Sequence, residues 1–541
     1  MTGSAVRDQP EDDVERAAPA EEARQTRLGL PARVARAVVL AAVFTCAACG
    51  LVYELALVAL GSYLIGNSVT QASIVLSVMV FAMGVGSLLA KPLRHWPVPA
   101  FAIVEAALAL IGGLSVLALY AAFAWLSLYT PALVVVAFLV GALIGAELPL
   151  LMTLLQRIRR QEAGAAVADL FAADYVGALI GGLAFPFLLL PLFGHIKGAL
   201  LVGAVNAVAG MAVVLWLFRR ELGRVTQAAL LTTMAVVLAV LGVTYVMADS
   251  FEVTARQVLY RDPIVLAERT PYQEIVITRD VSFTGRPDLR LFLNGDLQFS
   301  SVDEYRYHES LVHPIMSGPH GRVLILGGGD GLALREVLRY DDVRSATLVE
   351  LDPEMLRLAR TYGPIASLNR HAFDDPRVRT VEADAFSWLR RANEQFDAVI
   401  VDMPDPDDVA TAKLYSVEFY GLIKRVLAPG GRLVVQSGSP YFAPKSFWCI
   451  ERSVAAAGLA TVPYHVDVPS FGDWGFVMAT PGDEPPALEL AKDAPDLRFL
   501  DTELLRAAAV FPKDRRNRDV KVNTLVHPRL VDYQKREWDE S

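Results

Sequence analysis

Cysteine is scarce, with three in 541 residues: Cys46, Cys49 and Cys449. Two share one apolar segment and the third lies far along the chain. No histidines cluster beside them, so the spacing supports neither a disulfide framework nor a zinc site. Long Lys/Arg runs are missing too, and the formal net charge is −9. A chain of that sign without a basic stripe has no electrostatic footprint for nucleic acid. Charge of either sign is thin between residues 36 and 250. What fills that stretch is apolar, and it lifts the whole chain to 54% hydrophobic residues and a mean hydropathy of +0.38. The excess points to a membrane domain joined to a soluble one. The length also exceeds what one core organises, so two or more domains are expected.

Residues 1–32 are rich in Ala, Glu, Asp, Arg, Gln and Pro, the composition of a disordered polar tail. The first apolar segment starts too late and runs too long for a signal peptide. A membrane domain is expected over 33–249. It holds seven apolar stretches of spanning length, roughly 36–60, 69–90, 99–124, 131–155, 170–192, 196–218 and 227–248. Glycines inside them, such as Gly84, Gly86, Gly181 and Gly182, suit close helix packing in lipid. Four acids also lie within: Glu54, Glu105, Glu147 and Asp174. Such acids are costly in lipid and are functional by default. A polyamine or proton path is one reading; protonated groups holding helices together is the other. No Lys or Arg sits mid-span to pair with them.

The soluble part is organised around residues 322–352. Val323 to Leu326 is an apolar run suited to a buried strand. Gly327, Gly328 and Gly329 then let the backbone turn tightly and approach a ligand. A helical pattern and a second apolar run follow, ending in Glu350. Strand, glycine turn, helix, strand and acid is how a doubly wound α/β domain holds a nucleoside, the acid meeting the ribose hydroxyls. Asp330 sits where a pyrophosphate would pass. A carboxylate there repels phosphate and attracts a cation, which favours an adenosyl sulfonium over a dinucleotide. Further strands are expected to end at Asp384 and Asp402, with Asp405 just beyond. Ligands in such sheets bind beyond the carboxyl ends of the strands. Asp384 suits an adenine amine. Asp330, Asp402 and Asp405 then need positive partners, and ammonium groups are the natural ones. Before this domain, Glu274 to Thr278 and Leu289 to Leu293 predict strands of a small β-domain over 250–320. The α/β domain and a helical tail take 321–541.

In order and spacing, several motifs resemble the spermidine synthases, the polyamine aminopropyltransferases. They are Tyr272-Gln273, Gly295 with Gln298, Asp303-Glu304 with Tyr307-His308-Glu309, Gly327 to Gly331, Glu350-Leu351-Asp352, Asp384, and Asp402 to Pro406. The whole chain looks like the membrane-anchored bacterial branch, with Tyr53-Glu54 in the first span and Pro469 to Phe476 near the end. The resemblance implies a Rossmann-like, class I methyltransferase-like catalytic domain. It implies decarboxylated S-adenosylmethionine as co-substrate, putrescine or a related diamine as acceptor, and methylthioadenosine as product. Gln273, Gly327, Gly329, Glu350, Asp384 and Ala385 would hold the methylthioadenosine part, and Asp330 the donor's amine. Tyr307, His308, Asp405 and Gln298 would line the diamine site. Asp402 would be the catalytic proton acceptor, with no metal needed. A homo-oligomer, a dimer, is the expected assembly.

Two positions depart from the family. Asp407-Asp408-Val409 replaces the usual x-Gly-Pro after Pro406, and Phe471 stands where Tyr is common. Two rival readings use the same elements: a methyltransferase on ordinary S-adenosylmethionine, and a transporter or sensor whose soluble domain only binds polyamines. Positive residues at Arg33, Lys91, Arg157 and Arg219 and their neighbours put the N-terminus in the cytoplasm. Seven spans would then place the catalytic domain outside. The donor is made inside, so the expectation is a multi-pass protein of the cell membrane with a cytoplasmic catalytic domain.

Overall fold

The computed structural model describes residues 32–65, 68–126, 128–158, 163–260, 262–281, 285–516 and 519–540. The polar tail expected over 1–32 lies outside them, except that Ala32 opens the first helix. The chain forms two compact units that divide between Leu259 and Tyr260.

The first unit is helical: α1 (Ala32–Ile65), α2 (Ser68–Leu93), α3 (Pro97–Ala121), α4 (Tyr129–Ile158), α5 (Ala163–Ala184), α6 (Leu190–Ala212) and α7 (Arg224–Tyr260). Six helical tracts among the described residues are long and apolar enough to cross a membrane. Seven were expected. One tract of 51 residues, Val167–Leu217, holds two of the seven apolar runs and, at about 1.5 Å per residue, is long enough to cross twice. Gly194, with φ 67° and ψ −171°, breaks that tract. The expected boundary at 249/250 also moves. No Gly or Pro stands between Ala248 and Tyr260 to stop α7, so the helix continues into the polar sequence.

Glycine sets how close these helices come. A Cβ at Gly86 of α2 would lie 1.8 Å from the carbonyl oxygen of Ala142 in α4. One at Gly177 of α5 would lie 2.1 Å from that of Phe44 in α1. Any side chain there would force the backbones apart. Of the four acids, Glu105 and Glu147 are buried inside the bundle, while Glu54 and Asp174 are partly exposed.

The second unit opens with an antiparallel meander of β1 (Ile264–Arg269), β2 (Glu274–Val281), β3 (Pro287–Leu293) and β4 (Asp296–Ser300). The two predicted strands are its middle pair. A helix, α8 (Glu304–Val312), leads into a seven-stranded sheet. Its strands are β5 (Arg322–Gly327), β6 (Ser345–Glu350), β7 (Val378–Glu382), β8 (Phe396–Asp402), β9 (Leu427–Gln436), β10 (Leu459–Val468) and β11 (Gly472–Pro481). They lie in the order β10-β11-β9-β8-β5-β6-β7, with β5 to β9 parallel and β11 antiparallel. Strands β5 and β8 are fully apolar over Leu324–Leu326 and Ala398–Val401 and carry no exposed residue there, as a sheet covered on both faces requires. The chain reverses direction of travel across the sheet between β5 and β8. A crevice opens at such a switch point, outside the carboxyl ends.

Candidate active site

The crevice is built by the last residues of β5 and β8. These strands are in register, with Gly327 opposite Asp402. Gly327 adopts φ 82°, and a Cβ there would lie 2.1 Å from the Asp402 carbonyl oxygen. The next amide, Gly328 N–H, donates to that same oxygen at 2.9 Å. The glycine loop and the acid-bearing strand end are therefore locked by main-chain atoms. Gly329 serves a different neighbour: a Cβ there would lie 2.6 Å from Oε2 of Glu350.

Asp330 follows the glycines and accepts the Leu332 N–H at 2.8 Å on Oδ1. Helix α9 (Leu332–Val337) starts there. Across the crevice, the Tyr307 hydroxyl donates to Asp402 Oδ1 at 2.6 Å. His308 is buried beside Tyr307, its Nδ1 2.9 Å from Glu304 Oε2. Arg335 of α9 grips both oxygens of Glu304, at 3.0 and 2.8 Å. This buried chain of His308, Glu304 and Arg335 ties α8 to α9. Burial works against charge on His308, but Glu304, with Asp330 and Asp402 nearby, keeps its pKa above the usual histidine value.

On the β6 side of the crevice, Glu350 ends the strand and accepts the Asp352 N–H at 3.0 Å. Asp352 is buried and collects three donors: Thr270 Oγ1 and Gln273 Nε2, both at 2.9 Å, and the Glu354 N–H at 3.1 Å. Gln273 is thus anchored from the meander to the start of α10 (Pro353–Thr361). Asp384 caps the helix Ala385–Arg391 through Ser387 N–H at 2.8 Å. Its other oxygen meets Lys413 Nζ at 2.9 Å. Burial acts to raise the Asp384 pKa, but the Lys413 hydrogen bond and charge leave it lowered.

The segment after Asp402 is held from below. Gln436, the last residue of β9, donates to Met403 O at 2.6 Å and to Asp405 Oδ1 at 3.2 Å. The Tyr415 hydroxyl adds bonds to the carbonyls of Met403 and Pro404, at 3.1 and 3.0 Å. The Phe471 ring meets the Tyr307 ring edge-on at 5.9 Å. Of the sequence-chosen residues, Asp330, Asp402, Tyr307 and His308 come together, with Glu350 on the same edge. Gln298 does not join them by a hydrogen bond: its amide donates to the Asp296 carbonyl at 3.1 Å.

Sequence reasoning quoted Asp352 within a motif but gave it no role, and passed over Arg335, Lys413, Gln436 and Tyr415. Of these four, Gln436 had a usable signal, its position at a strand's carboxyl end.

The electrostatics follow from crowding acids into a crevice. Burial pushes Glu350 up to about 7 and Asp405 up to about 7. Burial, with Asp402 adding to it and His308 opposing, takes Asp330 up to about 6. Burial raises Asp402 also. Each group would return to an ordinary carboxylate beside a positive ligand. Crowded acids of this kind are complementary to positive charge.

Residues 304–490 match the family described as the spermine/spermidine synthase domain. Polyamine aminopropyltransferase 1 of Streptomyces coelicolor is 67% identical over 506 residues, covering 94% of this chain and 95% of that one. The polyamine aminopropyltransferase of Mycobacterium tuberculosis is 48% identical over 513 residues, covering 93% and 97%. A spermidine synthase solved with the transition-state analogue AdoDATO is 28% identical, covers 47% of this chain and 86% of its own, and superposes with a TM-score of 0.43. With relatives this similar over nearly its whole length, the chain belongs to the polyamine aminopropyltransferase family.

Proposed function

We propose that this protein transfers the aminopropyl group of decarboxylated S-adenosylmethionine to putrescine or a related diamine, giving spermidine and methylthioadenosine from putrescine. The chain is an aminopropyltransferase of the spermidine synthase type. The observation that carries the residue roles is the pairing of Asp402 with Tyr307 at 2.6 Å, beside a glycine loop that presents Asp330. In this reading Glu350 receives the ribose hydroxyls and Gln273 steadies that side through Asp352. Asp384 and the Ala385 N–H take the adenine edge. A carboxylate oxygen has more than one lone pair, so Asp384 can keep Lys413 and still accept the adenine amine. Asp330 takes the donor's ammonium. Tyr307, His308 and Asp405 line the acceptor path.

The acceptor amine arrives protonated and has no free lone pair. Asp402 takes its proton, and the raised pKa of that carboxyl makes it a better base. The nitrogen lone pair then forms a bond to the donor's methylene. The carbon–sulfur bond breaks and its electrons pass to sulfur, which becomes a neutral thioether. The leaving group is already activated by its charge, so placement supplies much of the remaining acceleration. Asp330 separates this reading from methyl transfer. Ordinary S-adenosylmethionine carries a carboxylate near its amine, which Asp330 would repel.

The test gives full-length protein either donor with a panel of diamines and identifies products by mass spectrometry. Aminopropylated amine from the decarboxylated donor is expected. Its kcat/KM for the diamine should fall below about pH 7, more steeply than one ionisation allows, because several carboxylates must lose protons to attract the dication. Methylated product from the ordinary donor would overturn the reading.

We also propose that the helical unit is embedded in the cell membrane and that the catalytic unit lies on the cytoplasmic side, with a homo-oligomer as the working form. Six apolar tracts support embedding, and the cytoplasmic side is where the donor is made. Reporters fused after Ser541, one active only inside and one only outside, test the face. Signal solely from the external reporter would exclude it.

A further inference from the structure

Within the helical unit lies a polar cluster that the transfer reaction does not use. Cys46 of α1, Glu105 of α3 and Glu147 of α4 each offer a ligand atom, and these atoms all lie within 4.8 Å of one another. All three residues are buried. Cys46 Sγ is 3.6 Å from Glu105 Oε2. Asn206 of α6, fully buried, donates to that same oxygen at 2.8 Å. Gly210, one helical turn on, leaves the room for Glu105: a Cβ there would lie 2.6 Å from its Cγ.

The cluster is unfinished. Glu105 Oε1, Asn206 Oδ1 and the Tyr53 hydroxyl are buried without a hydrogen-bond partner. Buried polar atoms are rarely left so, because an unmade hydrogen bond leaves their desolvation uncompensated. No Lys or Arg stands in the sequence between residues 37 and 90 or between 95 and 156, so α1 to α4 bring no cation to the two carboxylates. Protonating both would remove the charge but leave Oε1 as an unpaired donor or acceptor.

We propose that Cys46, Glu105 and Glu147 form a binding site for one divalent metal ion of the zinc class. A thiolate and a carboxylate on one tetrahedral zinc, at about 2.3 and 2.0 Å, stand about 3.5 Å apart. The observed sulfur–oxygen separation of 3.6 Å matches. A thiol among the donors favours a borderline-soft ion over magnesium or calcium. Binding releases the Cys46 proton and joins α1, α3 and α4 through one centre. Asn206 acts as an outer partner that orients Glu105. The unpartnered oxygens of Glu105, Asn206 and Tyr53 are the candidates for a further ligand. The cysteine spacing carries no sign of this site, because its three ligands come from three helices.

The test uses full-length protein in detergent, stripped with chelator. His320→Ala removes a second candidate group, His320 with Asp342 and Asp493, which belongs to the other unit and is largely exposed. Titration with zinc should then show one equivalent bound and a raised Tm. Cys46→Ser, Glu105→Gln and Glu147→Gln should each weaken binding at least ~10-fold, the scale of losing one ligand interaction, while aminopropyl transfer stays unchanged. Cobalt on protein with native Cys46 should give a sulfur-to-cobalt charge-transfer band and tetrahedral visible bands, a readout that does not require the variants to fold. Absence of that band, or zinc binding that persists undiminished in folded variants, would overturn the site.

Discussion

Replacing Asp402 by Asn should lower turnover by about 10²–10⁴, the range for loss of a general base. Methylthioadenosine affinity should hardly change. The substitution is nearly isosteric, and the Asn side-chain oxygen still accepts the Tyr307 hydroxyl. The bond from Gly328 N–H to residue 402 involves the main chain and survives any side chain. What disappears is the proton acceptor, together with one negative charge near the acceptor nitrogen. Single-turnover rates and calorimetry with methylthioadenosine separate the two. Turnover close to that of the unmodified protein would remove Asp402 from the proton path.

Asp330→Asn tests the donor end. Its Oδ1 should still cap the Leu332 N–H, so the loop stays folded. The lost element is charge facing the aminopropyl ammonium. A hydrogen bond to a charged group contributes about 1.5–3 kcal/mol, or ~10- to 100-fold in affinity. Decarboxylated S-adenosylmethionine should weaken by that factor, and methylthioadenosine, which has no ammonium, should not. Equal losses for both ligands by calorimetry would reduce Asp330 to a residue that shapes the loop.

The acids at the strand ends were legible in the sequence, and so was the alternation that orders them. Gly327 to Asp330 and Glu350 stand at the ends of apolar runs, and such runs become parallel strands that deliver their last residues to one edge. The outer strands of the meander were not legible. β1 alternates partly buried and exposed positions and includes charged residues, and β4 is five residues long. Neither stands out against a loop. Partnerships were hidden for a different reason. Arg335 finds Glu304 from 31 residues away and Gln273 finds Asp352 from 79, distances over which sequence spacing carries no geometry. The two apolar runs on either side of the Pro- and Gly-containing link lie in one long tract that Gly194 kinks, so the link read from the sequence is a bend between helices.

The lock between Gly327 and Asp402 divides labour between main chain and side chains. The position of the proposed base relative to the glycine loop is written in backbone atoms and tolerates drift in the surrounding side chains. The residues proposed to meet the acceptor are different: 403–409 lie on a connection held by Gln436 and Tyr415. On the proposed reading, changes in that connection would alter the choice of amine while the main-chain lock keeps the reacting geometry. The departure at Asp407-Asp408-Val409 falls in this replaceable part, where a change of diet leaves the machinery of transfer alone.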